Sequence, residues 1–502
     1  MNWPIFISFL VYLLFMLAIG VRFWSTGQTS EGYLLGHRSL GSWITAFSAE
    51  ASDMSGWLLL ALPGTVYLHG PSEVWIAAGL LIGTYLNWRL VAARLRIYTE
   101  QTQTMTLPAF FAKRFGDNKG ILQVISAILI VVFFTIYTSS GMVSTGKLIE
   151  SVFSIPYQHA VILGGGVVIG YTFLGGYLAV CWTDMVQGLL MIIALAMIPI
   201  LAFGKAGGME GITTSMAAKG ISLSIIPTGT AMPVVAIISS AAWGLGYFGQ
   251  PHILARFMSI RSLQELRRSR MIAMTWVTIA LTAATAIGLI AIGVLDKIPD
   301  GDHEKVTIFM ITRLISRYLQ GILLAAILAA IMSTIDSQLL VSASSLSEDI
   351  YRRFSRSRPT SGHLALVSRA SVACISAIAI ILAMPRDSLI LRIVAYAWAG
   401  FGAAFGPVVL FALFSRHTTH LAASVGMVVG AATVVIWRHC GLSGLLYEIL
   451  PGFAANCLAI ALVNLWHRQV DPAILAQFDR TAAIVSGDGY LQTKPTAKEM
   501  QV

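Results

Sequence analysis

The chain has 502 residues, of which 56% are hydrophobic and only 11% are charged. Because soluble globular domains carry about 25% charged residues, this composition excludes an ordinary soluble enzyme or binding protein and indicates a polytopic membrane protein. The formal net charge of +10 is spread over short polar segments between apolar runs, so it does not indicate a nucleic-acid-binding surface. The 4 cysteines are scattered in or beside apolar runs and predict neither a disulfide framework nor a metal cluster.

Apolar runs of membrane-spanning length recur along the chain. A helix needs about 20 apolar residues to cross a bilayer, and thirteen such runs lie near residues 5–21, 42–66, 73–91, 121–146, 159–175, 184–203, 231–250, 271–295, 322–346, 364–384, 389–414, 420–437 and 444–466. They are too long and continuous for the alternating strands of a barrel. We therefore predict an all-α integral membrane protein with about 13 transmembrane helices in one domain, residues 1–467, followed by a flexible polar tail, residues 468–502.

The lysines and arginines are distributed unevenly between the two sets of loops. With the N-terminus outside, most of the 33 Lys and Arg residues fall on segments that face the inside, including clusters within 89–119, 256–270 and 352–369. Positively charged loops are retained on the cytoplasmic side of a membrane. This bias and the odd number of helices both predict an outside N-terminus and a cytoplasmic C-terminus in a plasma or inner membrane.

The second apolar run is interrupted by polar and small residues. Its segment 51–57 reads ASDMSGW. An ionised carboxylate near the bilayer centre costs about 2.5–3.5 kcal/mol, so Asp53 is expected to face a protein interior and to serve a pathway. Glycine and small polar residues weaken a helix at the depth where transporters expose backbone carbonyl groups. We predict that the second helix is discontinuous.

A similar interruption occurs in the seventh run, where residues 243–251 read WGLGYFGQP. Five helices separate the starts of the two interrupted runs, so the two segments cross the membrane in opposite directions. This arrangement is typical of an inverted repeat, here of helices 2–6 and 7–11, with discontinuous helices 2 and 7. Broken helices in corresponding places of two halves predict a transport site near the midplane.

The ninth run carries two neighbouring hydroxyl groups on one helix face. Ala330, Ser333 and Thr334 have the i, i+3, i+4 spacing that places them together. Hydroxyl and carbonyl oxygens are ligands that a small hard cation prefers. The alternative is that the two hydroxyls bond to their own helix or join it to a neighbour.

Acidic residues near these segments admit different interpretations. Asp53 is expected either to supply charge near a cation or to hold the broken helix through hydrogen bonds. Asp184 is interpreted as a first-turn acid of the sixth helix, favoured by the helix dipole, and Glu50 as the inner end of the second helix.

Four aromatic residues fall in helices that surround the predicted midplane. Aromatic rings with one polar group suit a small amphiphilic ligand, although ordinary helix packing would explain any single one of them. They are Trp57, Tyr137, Trp243 and Tyr247.

Three separated stretches together resemble the sodium:solute symporter family, and most closely its proline-transporting branch. They are residues 52–59 (SDMSGWLL), residues 175–188, in which GGYLAV precedes Thr183-Asp184 and Gln187-Gly188, and residues 243–252 (WGLGYFGQPH). The resemblance covers helices 1–13. It implies an inverted five-helix repeat with one extra helix before it and two after, and import of L-proline coupled to sodium by alternating access.

The resemblance also implies residue roles. The sodium ion would be bound by the carbonyl groups of Ala51, Met54 and Ala330 and the hydroxyl groups of Ser333 and Thr334, and Asp53 would act in coupling. The substrate site would be formed by Ser55, Gly56, Trp57, Tyr137, Trp243, Tyr247 and Pro251. Sodium would be the coupling ion with no other cofactor, and proline and the lipid bilayer the partners, with no nucleic acid and no obligate protein partner.

Other functions remain open at this point. The nearest is a symporter of another small solute, such as a monocarboxylate, a pantothenate-like acid or a different amino acid. A membrane enzyme is disfavoured because the 10 histidines fall in loops or at helix ends and form no ligand cluster. A transport-like sensor is disfavoured because the tail is too short for an output domain.

Overall fold

The computed structural model describes residues 3–23, 32, 35–172, 176–298, 301–355, 359–467 and 469–486. Within these residues the chain is almost entirely helical, and one isolated bridge pairs Leu40 with Ile260. Gly175 of the sequence motif and the last part of the tail, residues 487–502, lie outside the described residues.

The helices follow the predicted order. We label the first six α1 Trp3–Phe23, α2a Ser42–Asp53 with α2b Leu62–His69, α3 Val74–Leu86 continuing as Ala92–Gln101, α4 Ile121–Phe153, α5 Tyr157–Thr172 and α6 Tyr177–Phe203. The next are α7a Pro233–Ala241 with α7b Pro251–Ser259, α8 Leu263–Val294, α9 Arg317–Ser344, α10 Ser361–Ala383, α11 Ile390–Phe414, α12 His420–His439 and α13 Ile449–Trp466. Short helices in the connections are Leu107–Phe115, Gly208–Ala218 and Val306–Leu314.

The number of spans agrees with the sequence-based prediction. In the described residues, 10 helices are long and apolar enough to cross a membrane, and two shorter apolar helices begin at Tyr157 and Pro233. One of the ten is the continuous stretch Trp57–Gln101, which joins α2b to α3. Because α2 and α3 each traverse the bundle, the described helices amount to the predicted thirteen spans.

The second helix ends at Asp53, where the predicted interruption lies. Met54 takes a non-helical conformation and donates its N–H to the carbonyl of Glu50 at 2.9 Å. The N–H of Ser55 then bonds to the carbonyl of Asp53 at 3.0 Å instead of continuing the α-helical ladder. The chain resumes as a π-helical turn, Trp57–Ala61, before α2b. Helix 2 is therefore discontinuous, and this turn leaves carbonyl groups of α2a without their helical partners.

The seventh helix breaks in a different way. After α7a, residues Ala242–Gly249 form a 3-10 helix, and Gln250 is extended. An extended residue is expected there because the ring of Pro251 disfavours the helical conformation of the preceding residue. The glycines let backbones approach closely: a Cβ on Gly244 would overlap the carbonyl oxygen of Gly79 in α3.

Two helices lie at the centre of the bundle. In the most apolar part of α9 and of α11, 83% of the residues are buried, against 28% in α1 and 22% in α13. The central helices therefore contact the interrupted segments, whereas α1 and α13 contribute to the periphery. This placement brings the hydroxyl-bearing face of α9 to the break of α2.

Part of the polar tail is helical in the described residues. Residues Pro472–Ser486 form a helix, α14, against the ends of other helices. Arg416 pairs with Asp479 through two hydrogen bonds of 3.0 and 2.7 Å, and the guanidinium of Arg114 lies 4.7 Å from the ring centre of Phe478. An isolated helix of 15 residues is only marginally stable in water, so α14 depends on the surface that the folded domain supplies.

Candidate functional site

Four of the five predicted sodium ligands meet where α9 crosses the end of α2a. The Ser333 hydroxyl donates to the carbonyl of Ala51 at 2.8 Å and lies 3.1 Å from the carbonyl of Ala330. The Thr334 hydroxyl lies 3.5 and 3.3 Å from the same two carbonyls. All four residues are buried. The hydroxyls thus join α9 to α2a, as the packing alternative expects, and also collect four oxygens in one place.

The fifth predicted ligand, Met54, lies at the break itself. Its N–H donates to the carbonyl of Glu50. Within the described residues, no side chain of α9 bonds to the carbonyl of Met54. The structure brings Met54 next to the oxygen cluster along the chain, but it does not join its carbonyl to Ser333 or Thr334.

Asp53 links the two interrupted helices. Its carboxylate oxygen Oδ2 accepts the hydroxyl hydrogen of Tyr247 at 2.7 Å. Its backbone carbonyl accepts from the indole of Trp57 at 3.1 Å and from the hydroxyl of Tyr137 at 3.4 Å. The second carboxylate oxygen, Oδ1, is buried and has no hydrogen-bond partner in the described part of the chain. The hydrogen bonds support the interpretation that Asp53 holds the broken helix, while Oδ1 is available to a ligand.

The predicted aromatic residues form a cluster with two that the sequence analysis missed. The ring of Trp243 lies 6.3 Å from Trp57, 6.4 Å from Trp398 of α11 and 5.5 Å from Tyr447. The indole of Trp398 donates to the carbonyl of Trp243 at 2.7 Å, and its ring is 5.1 Å from Tyr247. A tryptophan among the small residues of the run 395–406 is the signal that could have indicated α11 as a wall of the site.

The remaining predicted substrate residues are not all in one place. The Ser55 hydroxyl lies 3.4 Å from the N–H of Trp57, and a Cβ on Gly56 would lie 2.5 Å from the hydroxyl of Ser144 in α4. Pro251 begins α7b and lines a separate small cavity together with Tyr177 and other residues. The sequence-based set is therefore split between the aromatic cluster and a second cavity.

Asp184 is not a first-turn acid, as the sequence analysis expected. Helix α6 begins at Tyr177, so Asp184 lies about two turns inside it. There its carboxylate forms a fully buried ion pair of 3.0 Å with Arg256 of α7b, and both bond to the Ser48 hydroxyl, at 2.6 and 3.0 Å. Arg256 also bonds to Ser337, one turn beyond Ser333 on α9. Arg256 is thus a bundle residue and not one of the loop charges.

Glu50 is also placed differently from its prediction. It lies within α2a, one turn before the break, and is buried. Its carboxylate accepts the indole N–H of Trp88 in α3 at 2.9 Å. Glu50 therefore joins α2a to α3 in the bundle interior and does not mark the end of the helix.

A charged network lies in the connection between α8 and α9, beside α2b. Buried Lys147 of α4 contacts Asp302 and Glu304 at 3.0 and 2.7 Å. The Glu304 carboxylate also accepts the N–H groups of Ile390 and Leu391, the first two residues of α11, at 2.9 and 3.0 Å. Negative charge is favoured at a helix N-terminus. These contacts bind the connection between α8 and α9 to both α4 and α11.

The same connection packs directly on α2b. A Cβ on Gly64 would overlap the backbone carbonyl of His303. Burial lowers the pKa of the His303 imidazole, and the nearby carboxylates oppose that shift only in part. The backbone of this connection therefore lies in close contact with α2b.

Comparisons with known proteins agree with this architecture. The family model described as Sodium:solute symporter family matches residues 33–430. The sodium/proline symporter of Salmonella typhimurium is 44% identical over 502 residues, which cover 99% of this chain and 98% of that protein. The high-affinity proline transporter PutP of Bacillus subtilis is 45% identical over 467 residues, covering 92% of this chain and 98% of that protein.

A solved structure supports the fold. A Na+-coupled sialic acid symporter, in a substrate-bound outward-open state, superimposes with a TM-score of 0.77 over 93% of this chain and 99% of that chain, at 19% identity. The predictions of an all-α membrane fold with an inverted repeat, and of a transporter instead of an enzyme, are confirmed. With a family model that spans most of its length and relatives that match nearly all of it, this chain belongs to the sodium:solute symporter family.

Proposed function

We propose that this protein imports L-proline together with sodium by alternating access. The observation that carries the proposal is the meeting of an oxygen cluster and an aromatic cluster at the two helix breaks, joined by Asp53. The names of its full-length relatives, which are sodium/proline symporters and proline transporters, support proline as the solute.

The sodium ion would lie between α2a and α9. The carbonyl oxygens of Ala51, Met54 and Ala330 and the hydroxyl oxygens of Ser333 and Thr334 are hard, neutral ligands, and the charge of Asp53 lies at the same break. A hydroxyl group that now donates to the Ala51 carbonyl can rotate and present a lone pair to a cation. Binding would exchange hydroxyl–carbonyl hydrogen bonds for shared coordination of one ion.

Proline would bind on the aromatic side of Asp53. Its ring is apolar and compact, and the rings of Trp57, Tyr137, Trp243 and Tyr247 offer apolar faces with a few polar groups. Ser55 and Gly56 lie on the unwound turn, and Pro251 begins α7b. The unpartnered Oδ1 of Asp53 is an acceptor for the proline ammonium or for a water bound with it.

Coupling would follow from the shared position of the two sites. Sodium would join α2a to α9 first and order the turn that carries Ser55 and Gly56, so proline would meet an assembled pocket. Filling both sites would permit closure and opening to the other side. One charge that crosses the full membrane field gains about 2.3 kcal/mol per 100 mV, which drives accumulation of the solute.

The protein is a multi-pass membrane protein. We further propose a plasma or inner membrane with the N-terminus outside and the C-terminus in the cytoplasm, because positively charged loops cluster on one side. We also propose that sodium is the coupling ion with no other cofactor, and that transport needs no obligate protein partner.

Counterflow in liposomes tests the proposal most directly. Purified protein in liposomes loaded with unlabelled proline should take up labelled proline with sodium on both sides, and replacing sodium with choline should reduce the initial rate at least tenfold. Uptake that is unaffected by the replacement would contradict sodium coupling.

A competition panel then tests the solute. Unlabelled proline should compete at least ten times more strongly than a monocarboxylate, a pantothenate-like acid or another amino acid. If one of these solutes is taken up faster and displaces proline, the fold and sodium assignment stand but the solute assignment is wrong.

A further inference from the structure

A groove of about 570 Å³ lies on the surface of the helix bundle, away from the two helix breaks. Its walls come from the first turn of α2a, the first half of α6 and the beginning of α8. The apolar part includes Trp43, Trp182 and Met271, which are 59%, 38% and 60% exposed in the described residues. Large apolar side chains exposed on a membrane protein are expected to face acyl chains.

The other end of the groove is charged. Glu265 lies there, and its carboxylate accepts the backbone N–H and the hydroxyl of Ser42 at 3.1 and 2.5 Å and pairs with Arg261. This carboxylate therefore already accepts three hydrogen bonds. Arg268 follows Glu265 on the same face of α8, is exposed, and forms no ion pair within the described residues. Two guanidinium groups against one satisfied carboxylate leave a net positive charge.

We propose that this groove binds an anionic phospholipid. Its phosphate would lie between Arg261 and Arg268, because a guanidinium group can donate two parallel hydrogen bonds to phosphate oxygens. One acyl chain would follow Trp43 and Met271. Tryptophan favours the boundary between headgroups and acyl chains, and basic pockets between transmembrane helices bind anionic headgroups.

The amphiphilic pattern of the groove favours a lipid over a free anion. A free phosphate would use the arginines alone and leave the indole and thioether surfaces exposed. A lipid would cover both ends of the groove at once. The site also touches the element that carries the ion ligands, since α2a runs without interruption from Ser42 at the groove to Asp53 at the break.

Native mass spectrometry of the full-length protein, titrated with phosphatidylglycerol, tests the proposal. Arg268→Gln should weaken binding of the first phosphatidylglycerol about fivefold, the effect of one basic side chain near a phospholipid surface. Arg267→Gln is the matched control, because Arg267 is the exposed neighbour of Arg268 and does not line the groove. This control variant should bind phosphatidylglycerol as the unmodified protein does. Binding of phosphatidylcholine should be the same in both variants and in the unmodified protein.

A second variant and a competitor identify the ligand. Trp43→Ala should also weaken phosphatidylglycerol binding, and inorganic phosphate at millimolar concentration should not displace the lipid. Equal losses in Arg268→Gln and Arg267→Gln would mean general surface attraction, and displacement by phosphate would mean a free-anion site. Either result overturns the proposal. Melting temperatures of the variants in phosphatidylcholine verify that each is folded.

Discussion

The breaks in α2 and α7 occupy corresponding places in the repeat, but they differ in what they expose. At the α2 break, backbone carbonyls turn to side chains: Ala51 accepts from Ser333, and Asp53 accepts from Trp57 and Tyr137. At the α7 break, glycines bring backbones and rings into close contact with α3 and α11.

The difference shows that a break in a transmembrane helix can serve two purposes. The α2 break brings together oxygen atoms and a carboxylate, which are groups that suit an ion. The α7 break supplies close packing and aromatic walls, so it suits the shape of an organic solute. The Tyr247 hydroxyl, which donates to Asp53 across 2.7 Å, is the direct link between them. Variants that affect one break and not the other can test this division.

The largest effect is expected at the α7 break. Alanine at Gly246 would place a Cβ on the indole nitrogen of Trp398, so Gly246→Ala should abolish proline uptake or prevent folding. Gly166→Ala in α5 is the control, because no atom lies within 4 Å of its added Cβ. Uptake in vesicles, corrected for protein in the membrane, measures both. Normal transport by Gly246→Ala would contradict close packing at this break.

Removing the charge at the α2 break should have the next largest effect. Asp53→Asn keeps a carbonyl acceptor for Tyr247 but loses the negative charge. A hydrogen bond to a charged group contributes about 1.5–3 kcal/mol, so the sodium concentration for half-maximal uptake should rise about tenfold or more. Sodium titrations of uptake at fixed proline measure it. An unchanged sodium dependence would remove Asp53 from the coupling mechanism.

Trimming the aromatic cluster should change proline recognition and leave sodium dependence nearly intact. Trp243→Ala removes the ring that contacts Trp57, Trp398 and Tyr447. Losing an aromatic contact of about 0.5–1.5 kcal/mol, together with its buried area, should raise the half-saturating proline concentration about tenfold. Trp466→Ala serves as a control, because Trp466 is the last residue of α13 and is 90% exposed. Proline titrations at saturating sodium that show no shift would place the substrate elsewhere.

The smallest effect should come from one hydroxyl of the pair on α9. Thr334→Val keeps the volume but removes an oxygen that lies 3.5 Å from the Ala51 carbonyl. With the other ligands present, the sodium requirement should rise severalfold, while maximal uptake at saturating sodium should fall less than twofold. Ser333→Ala should have the larger effect of the two, because its contact is 2.8 Å. The reverse order would revise the geometry of the ion site.

The sequence determined the features that depend on neighbouring residues. The apolar runs predicted thirteen spans, ASDMSGW and WGLGYFGQP predicted the two breaks, and the spacing of Ala330, Ser333 and Thr334 predicted the face that meets α2a. Each of these is a local pattern, since helix periodicity and helix-breaking residues act over a few positions.

Only the tertiary structure decided which distant residues meet. Arg256 and Asp184 are 72 positions apart, Trp398 and Trp243 are 155 apart, and Lys147 and Glu304 are 157 apart. A buried charge is stable only beside its partner, so a single sequence could show that Asp184 was unusual but not that Arg256 paired with it. The physical reason is the same for the docked helix α14: its partner surface exists only after the domain has folded.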